Sequence, residues 1–449
     1  MYNNQSFMHS RLQKESFIFV LGDILTLYIS LFLSLLLRYL QIPTSDVLAS
    51  HSVPFSILFA FSLLTFFVFG MYEKQNLIEK KKIFPIIIQG QIINSLFAIT
   101  FFYFSPLTQI TPKTNLFIYL IVSVIFLSLW RIFVAKNIFK KQTSICLIGK
   151  GEDVLFLKKD LEENYRGFEI IEFIDLAQNS EYIDKKFLEL KNIKVGYIVL
   201  DSKDPTIISY MPFLYDLVFR GVQFFEVSDL YESLYNRVPL QIVKHGWFLE
   251  HVRSKPHPLY DFFKRTMDVI IALFLMVISS FVYPLVFVLI KLEDRGPLLY
   301  RDIRIGKDNK IITIFKFRSM SVGVIPEFGR KIETKVGKFM RKTRIDEMPQ
   351  LINILRGELS LIGPRPEQPR MVEEYTKNIP FYGVRHIIKP GLSGWAQIYH
   401  DNHPHHDLDI SATKEKLSYD LYYLKNRSVI LDLIISLKTI KTLLSTKGK

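Results

Sequence analysis

The chain has 449 residues, a net charge of +14, 49% hydrophobic residues and 38 phenylalanines, with a mean hydropathy of +0.19. Such a composition excludes an ordinary soluble globular protein, and a basic balance in so apolar a chain points to an anionic lipid surface and not to nucleic acid. The single cysteine, Cys146, excludes an internal disulfide and fits a reducing compartment.

Four apolar segments come first, at residues 16–37, 52–72, 83–105 and 114–134. Each is close to the ~20 residues needed to cross a bilayer. No cleavable signal peptide is expected, because no small-residue cleavage site follows the first of them. Arg11 and Lys14 precede the first segment, and residues 41–51 carry no Lys or Arg. Lys74, Lys80, Lys81 and Lys82 follow the second segment, and Lys113 alone separates the third from the fourth. Arg131, Lys136, Lys140 and Lys141 mark the end of the fourth. The positive-inside rule then predicts a four-helix transmembrane bundle over residues 1–140, with everything after it cytoplasmic. Asp23 stands alone in the first span, near the cytoplasmic end, and reads as a satisfied structural acid. A transport path would need polar residues recurring across several spans.

Residues 141–252 read as alternating strands and helices, with strands at 144–148, 168–174 and 195–200. That alternation predicts a Rossmann-like α/β domain with a parallel sheet. The turn from Gly149 to Val154 is similar to a dinucleotide fingerprint, but Val154 occupies the third glycine position, which favours a structural or regulatory domain.

Residues 253–449 carry the chemistry. Lys264, Arg265 and Asp268 open an uncharged stretch over 269–290, and Lys291, Arg295, Arg301, Arg304 and Lys307 follow it. A true crossing would strand one basic cluster outside. Ser280 and Pro284 supply a mid-membrane break, so the segment is expected to be a re-entrant helix that dips into the inner leaflet. Residues 311–320 alternate as a strand with Lys316 and Arg318 on one basic face. Within 341–367, the adjacent carboxylates Asp346 and Glu347 sit between arginines, ahead of a short helix and a Gly363-Pro-Arg-Pro366 turn. Thr343 is expected to cap a helix beginning near Ile345, with Pro349 in its first turn, Leu351, Ile352 and Leu355 on its apolar face and Gly357 at its end. The dyad then lies at the positive end of a helix dipole, which favours ionised carboxylates and attracts phosphate. Carboxylates can serve as nucleophile or as ligands to a hard cation. Arg304, Lys316, Arg318, Arg341, Arg365 and Arg385 are the candidate phosphate-binding residues. The segment from Asp401 to Asp407, with His403, His405 and His406, reads as a loop and not as a metal cluster. Residues 428–446 form a helix whose stripe of Val429, Ile430, Leu433, Leu437, Ile440 and Leu444 suits an interfacial or packing role.

Residues 260–445 resemble the bacterial polyprenyl-phosphate sugar-1-phosphate transferases, the monotopic phosphoglycosyl transferases that start exopolysaccharide, capsule or O-antigen units. The resemblance rests on Lys264-Arg265 with Asp268, Gly296-Pro297, Arg304 with Gly306, Lys316 with Arg318, Thr343 to Glu347 and Pro364-Arg-Pro366. It continues through Lys389-Pro-Gly391, Gly394-Trp395 with Gln397, Asp420, Tyr423 and Asp432. The whole chain is similar to the long form of that family, whose link pattern appears as Tyr231-Glu232, Val238-Pro-Leu240 and Trp247. The resemblance implies that Asp346 attacks the β-phosphate of a UDP-sugar, that Glu347 holds Mg²⁺, and that Arg341 and Arg365 contact phosphates. It implies undecaprenyl phosphate as acceptor and the bacterial inner membrane as location, with an open oligomeric state that includes a homodimer. Glucose, galactose and acetamido sugars are the choices such relatives make. One departure is that Phe281 follows Ser280, where the family has proline, and the proline lies at 284. A membrane-anchored sensor or scaffold is the alternative, and the intact dyad argues against it.

Overall fold

A computed structural model describes residues 4–72, 80–104, 113–138, 143–164, 168–202, 204–240, 248, 258–323, 332–399 and 409–444. The chain forms two compact units, Met1–Tyr235 and Asn236–Lys449. The segment from Asp401 to Asp407 and Trp247 lie outside the described residues.

The first unit begins with four helices, α1 (Asn4–Tyr39), α2 (Ser45–Val68), α3 (Lys80–Phe104) and α4 (Lys113–Ile138). Each contains a stretch long and apolar enough to cross a membrane. Leu27, Leu31, Phe55, Phe59, Tyr119 and Leu127 form their shared core, while Phe17, Leu96 and Phe133 point outward. Asp23 is fully buried and does not stand alone. Arg131 Nε donates to its Oδ1 at 3.1 Å and Arg131 Nη2 to its Oδ2, and Tyr72 donates to Oδ2 at 2.8 Å. The guanidinium also lies over the Phe19 and Tyr72 rings, at 4.7 and 5.0 Å. An acid in the first span thus ties α1 to α4 across 108 residues of sequence. The bundle buries other polar side chains that the apolar pattern conceals. His51 meets Asn115 at 3.1 Å, and Gln91 donates to Ser123 at 3.0 Å.

Four parallel strands follow, β1 (Thr143–Gly149), β2 (Phe168–Asp175), β3 (Tyr197–Leu200) and β4 (Gln223–Glu226), in the order β2-β1-β3-β4. Helices α5 (Glu152–Asn164), α6 (Ser180–Leu190) and α7 (Pro205–Phe219) connect them, and α8 (Val227–Tyr235) closes the unit. β4 is absent from the sequence reading. In the glycine turn the packing roles are exchanged. A Cβ at Gly149 would fall 2.5 Å from Val154 Cγ2, so the strand-end glycine makes room for the valine. Lys150 Nζ, the cation of that turn, is engaged by Asp204 at 3.0 Å and Thr206 at 3.2 Å.

The second unit opens on α9 (Pro258–Asp294). Strands β5 (Leu299–Ile305) and β6 (Ile311–Phe317) form an antiparallel hairpin. Then come α10 (Lys335–Thr343), a 3₁₀ turn (Ile345–Gln350), α11 (Leu351–Arg356), β7 (Ser360–Ile362), α12 (Pro369–Asn378), β8 (Gly391–Ser393), α13 (Trp395–Tyr399), α14 (Ile410–Asn426) and α15 (Val429–Leu444). The core gathers Trp395, Leu417, Leu421, Tyr423, Leu431 and Ile435. The link residues join it, since Trp395 Nε1 donates to Asn236 O at 2.9 Å and Val238 N to Ser418 O at 3.0 Å.

Helix α9 runs unbroken through Ser280 and Pro284. Pro284 has no N–H for the Ser280 carbonyl, and Ser279 and Ser280 turn their hydroxyls onto the carbonyls of Met276 and Val277. Both ends of α9 hold the same unit. Near the start, Lys264 pairs with Asp432 at 2.9 Å, and Arg265 donates to Ile354 O and Leu355 O at 2.6 and 2.7 Å. Near the end, Val286 and Ile290 pack on Phe317 and Met340, and Glu293 accepts from Lys335 N and Val336 N at 2.6 and 3.2 Å. Between them Phe274, Phe281 and Leu285 are more than 60% exposed. In α15 the residues facing the core are Leu431 and Ile435, whereas Val429, Ile430, Leu433 and Ile440 of the sequence stripe are exposed. The helix thus packs into the core, through a face beside the stripe.

Candidate active site

The dyad turn is held at both ends. Thr343 is the last residue of α10 and not a cap. Its hydroxyl returns to Phe339 O and Met340 O. Arg344, at φ 58°, reverses the chain, and the 3₁₀ turn starts at Ile345. Pro349 lies ahead of α11, where its missing N–H costs no helix bond. Gly357, at φ 80°, ends α11 in the left-handed region and its N–H donates to Ile354 O at 2.9 Å, while Arg265 donates to the carbonyls of Ile354 and Leu355. Leu351 and Ile354 are buried, with Leu355 packed beside them, while Ile352 is only half-buried.

Glu347 sits among three cations. Arg365 Nη2 lies 3.2 Å, Lys316 Nζ 3.8 Å and Arg344 Nη1 3.8 Å from its Oε1. The nearest contact of all three falls on Oε1. Burial opposes ionisation of Glu347, but Arg365, Lys316 and Arg344 hold its carboxyl down at about 2. Asp346 is different. It is 8% exposed, and its Oδ1 has no hydrogen-bond partner among the described residues. Burial, then the charge of Glu347, pushes its carboxyl up to about 6, against the pull of Lys316, Arg344 and Arg341. Two adjacent carboxylates thus take opposite characters, one a fixed anion and one an unpartnered group near neutrality.

A pocket opens beside the dyad. Its charged lining is Arg304, Lys316, Glu347 and Arg365. Ile314, Pro366 and Leu392 supply apolar walls, and Gln350 lines it as well. Lys316 reaches it because it shares a face of β6 with Ile314, two residues earlier, which also lines the pocket. Arg365 reaches it because the Gly363-Pro-Arg-Pro366 turn is bolted to the Lys389-Pro-Gly391 turn, with Gly391 N donating to Pro364 O at 2.9 Å and Gly363 N to Ser393 O at 2.8 Å.

The other sequence candidates take varied places. Arg304 borders the pocket but is paired with Asp302 Oδ2 at 2.5 and 2.9 Å. Arg341 lies on the dyad side, bonded to Ser319 Oγ at 2.9 Å. Arg318 is buried and donates to Pro297 O at 2.8 Å, so it braces backbone instead of facing the pocket. Arg385 is also buried, behind the Arg365 turn. It bonds Tyr382 at 2.7 Å and Arg365 O at 3.0 Å and lies 2.7 Å from Asp420. Glu367 pairs with Lys416 beside it, and Lys416 and Arg385 hold its carboxyl at about 2 although burial opposes this. Asp268 accepts from Leu361 N at 3.0 Å and so fixes β7 to α9. Among the described residues, no three His, Cys, Asp or Glu groups converge as a metal cage.

Sequence reasoning missed Asn353 and Gln350. Asn353 is fully buried. Its Nδ2 donates to Thr313 O at 2.7 Å and Glu358 Oε2 at 2.6 Å, and its Oδ1 accepts from Phe315 N at 3.2 Å. It ties the dyad helix to the strand that carries Lys316. A polar residue amid the apolar face of α11 was the available signal. Asn353→Ala leaves buried backbone groups unpaired, at about 1–3 kcal/mol each. We expect the unfolding midpoint of the detergent-solubilised chain to fall by at least about 5 °C, and an unchanged midpoint would remove the tie.

Residues 259–446 match the family model described as bacterial sugar transferase. A UDP-glucose:undecaprenyl-phosphate glucose-1-phosphate transferase of Caulobacter vibrioides is 34% identical over 197 residues, which are 42% of this chain and 73% of that one. The chain belongs to the bacterial sugar transferase family. Among longer family members, a UDP-N-acetylgalactosamine-undecaprenyl-phosphate N-acetylgalactosaminephosphotransferase of Aeromonas hydrophila is 36% identical over 267 residues, 58% of this chain and 62% of the relative. A UDP-glucose:undecaprenyl-phosphate glucose-1-phosphate transferase of Escherichia coli K12 is 37% identical over 208 residues, 43% of this chain and 44% of the relative. The match with these two bacterial sugar transferases thus spans about two fifths to three fifths of their length.

Proposed function

We propose that this chain transfers a sugar-1-phosphate from a UDP-sugar to undecaprenyl phosphate at the cytoplasmic face of the bacterial inner membrane, opening exopolysaccharide, capsule or O-antigen synthesis. The observation that carries this is the contrast within the dyad. Asp346 has a buried, unpartnered oxygen, while Glu347, next to it, has three cations. In the first step an Asp346 oxygen bonds the β-phosphorus, the bond to the bridging oxygen breaks, and UMP leaves with that oxygen. In the second, a phosphate oxygen of undecaprenyl phosphate bonds the same phosphorus and the Asp346 carboxylate departs. Two moderate steps replace one hard transfer. Lys316 and Arg365 neutralise the diphosphate, exchanging part of their contact with Glu347 for phosphate oxygens. The family names above fit this reading, since those relatives are named for such transfers. UMP release should appear when membranes holding the full chain receive undecaprenyl phosphate and the correct member of a UDP-sugar panel. No release with any donor would defeat the proposal.

The donor set fits Mg²⁺. Two adjacent carboxylates, with Oδ1 of Asp346 unpaired among the described residues, can join substrate phosphates in a hard-cation shell. Bound there, Mg²⁺ would offset charge developing on the diphosphate. Glu347→Gln should raise the Mg²⁺ concentration for half-maximal UMP release, and an unchanged titration would move the metal elsewhere.

The placement of α9 supports the re-entrant reading. A spanning helix would put Arg265 and Glu293 on opposite sides of the bilayer, yet both hold one folded unit. Single cysteines at positions 262 and 298, in a Cys146→Ser background, should react with an impermeant thiol reagent in inside-out vesicles and not in intact cells. Reaction of either from outside would make the segment a span.

A further inference from the structure

We infer that Tyr283 of α9 is a positioning residue for the reaction, an inference that rests on the transfer proposed above. Its hydroxyl donates to Asp346 Oδ1 once the donor is bound and holds that carboxylate for attack. Both atoms are buried, and neither has a hydrogen-bond partner among the described residues. One is a donor and the other an acceptor. A buried polar atom without a partner costs stability. A phenylalanine at position 283 would keep the ring and avoid that cost, so the hydroxyl is explained by a partner that it meets in another state of the site.

Packing selects Asp346 as that partner. The Tyr283 ring stands edge-to-face on Phe317, with 5.0 Å between centroids. Phe317 is buried with Val286, Ile290 and Met340, and Tyr283, Ile345 and Met348 all pack against that group. Ile345 and Met348 bracket the dyad within the 3₁₀ turn. Residues three apart in such a turn eclipse. These two therefore share the face that meets the α9 layer, and Asp346 leaves the turn beside it. Catalytic hydrogen bonds are often loose before substrate arrives and tighten in the complex. Donor phosphates draw Lys316 and Arg365 partly off Glu347, and the turn that carries both carboxylates then settles against α9. A carboxylate has about four lone-pair sites. The tyrosine takes one of them and orients the group, and the others stay free for phosphorus or a cation.

The test compares the full wild-type chain with Tyr283→Phe in membranes. A single turnover without undecaprenyl phosphate isolates the first step, read as UMP released and phosphosugar trapped on the protein. Acceptor is then added to read the second step. Tyr283→Phe should slow the single turnover about tenfold or more, the loss of one hydrogen bond to a charged group. The donor concentration for half-maximal rate should not change. The unfolding midpoint should equal or exceed that of wild type, because the variant buries no unpaired hydroxyl. Lost packing would do the opposite. An unchanged single turnover overturns the inference. So does a slowed second step alone, which would give the hydroxyl to the lipid acceptor. A lowered midpoint, or a variant that does not fold, would make the hydroxyl structural and overturn it as well. A wild-type chain that releases no UMP with any donor would defeat the transfer proposal itself, and is told apart because wild type then fails too.

Discussion

Asp346→Asn is expected to lower UMP release by at least about 10³-fold and to abolish any phosphosugar trapped on the protein, because an amide is no nucleophile. The fold should persist. Oδ1 of Asp346 makes no hydrogen bond among the described residues that the amide would lose, and the substitution removes a buried charge beside Glu347. The sign of the stability change follows from the raised carboxyl. In the folded wild type it is ionised above about 6, against a reference of 3.8. Ionisation therefore opposes folding at pH 7, and that opposition fades as pH falls through 6 towards 4. The variant should be at least as stable as wild type at pH 7 and lose its advantage in acid. In wild type, kcat/KM should fall as pH drops below about 6, because protonated Asp346 cannot attack. Near-normal turnover in the variant would remove Asp346 from the chemistry.

Asp23→Leu should have the largest effect on stability. It leaves the Arg131 guanidinium, itself 1% exposed, without its carboxylate in a membrane-embedded core. Breaking one partner of a buried pair typically costs about 3–5 kcal/mol. We expect folded yield in membranes to collapse and detergent unfolding to move to lower temperature. Asp23→Leu with Arg131→Leu should recover most of the loss, since no charge is then stranded. A double variant no better than the single one would mean that the pair does more than hold α1 to α4.

Much of this was readable in the chain. The four apolar helices, the strand–helix alternation and the dyad at a helix start follow from hydropathy, periodicity and the Pro349 and Gly357 punctuation. What escaped depends on distance in space. Arg131 reads as a flanking cytoplasmic charge, and only packing shows it inside the bundle on Asp23. Arg318 and Arg385 read as phosphate ligands because a cation's type is visible and its direction is not. The fold turns both onto carbonyls. The apolar stripe of α15 has helical spacing whichever face is covered, so the pattern fixed the helix but not its buried side. Gln350 looks like one more polar residue until the pocket forms around it.

The two attachments of α9 have a mechanical consequence. Glu293 grips the start of α10, Arg265 grips the end of α11, and the dyad turn is the stretch of chain between those grips. A displacement of one end of α9 against the other would have to be taken up by residues 337–353, the segment that holds Asp346 and Glu347.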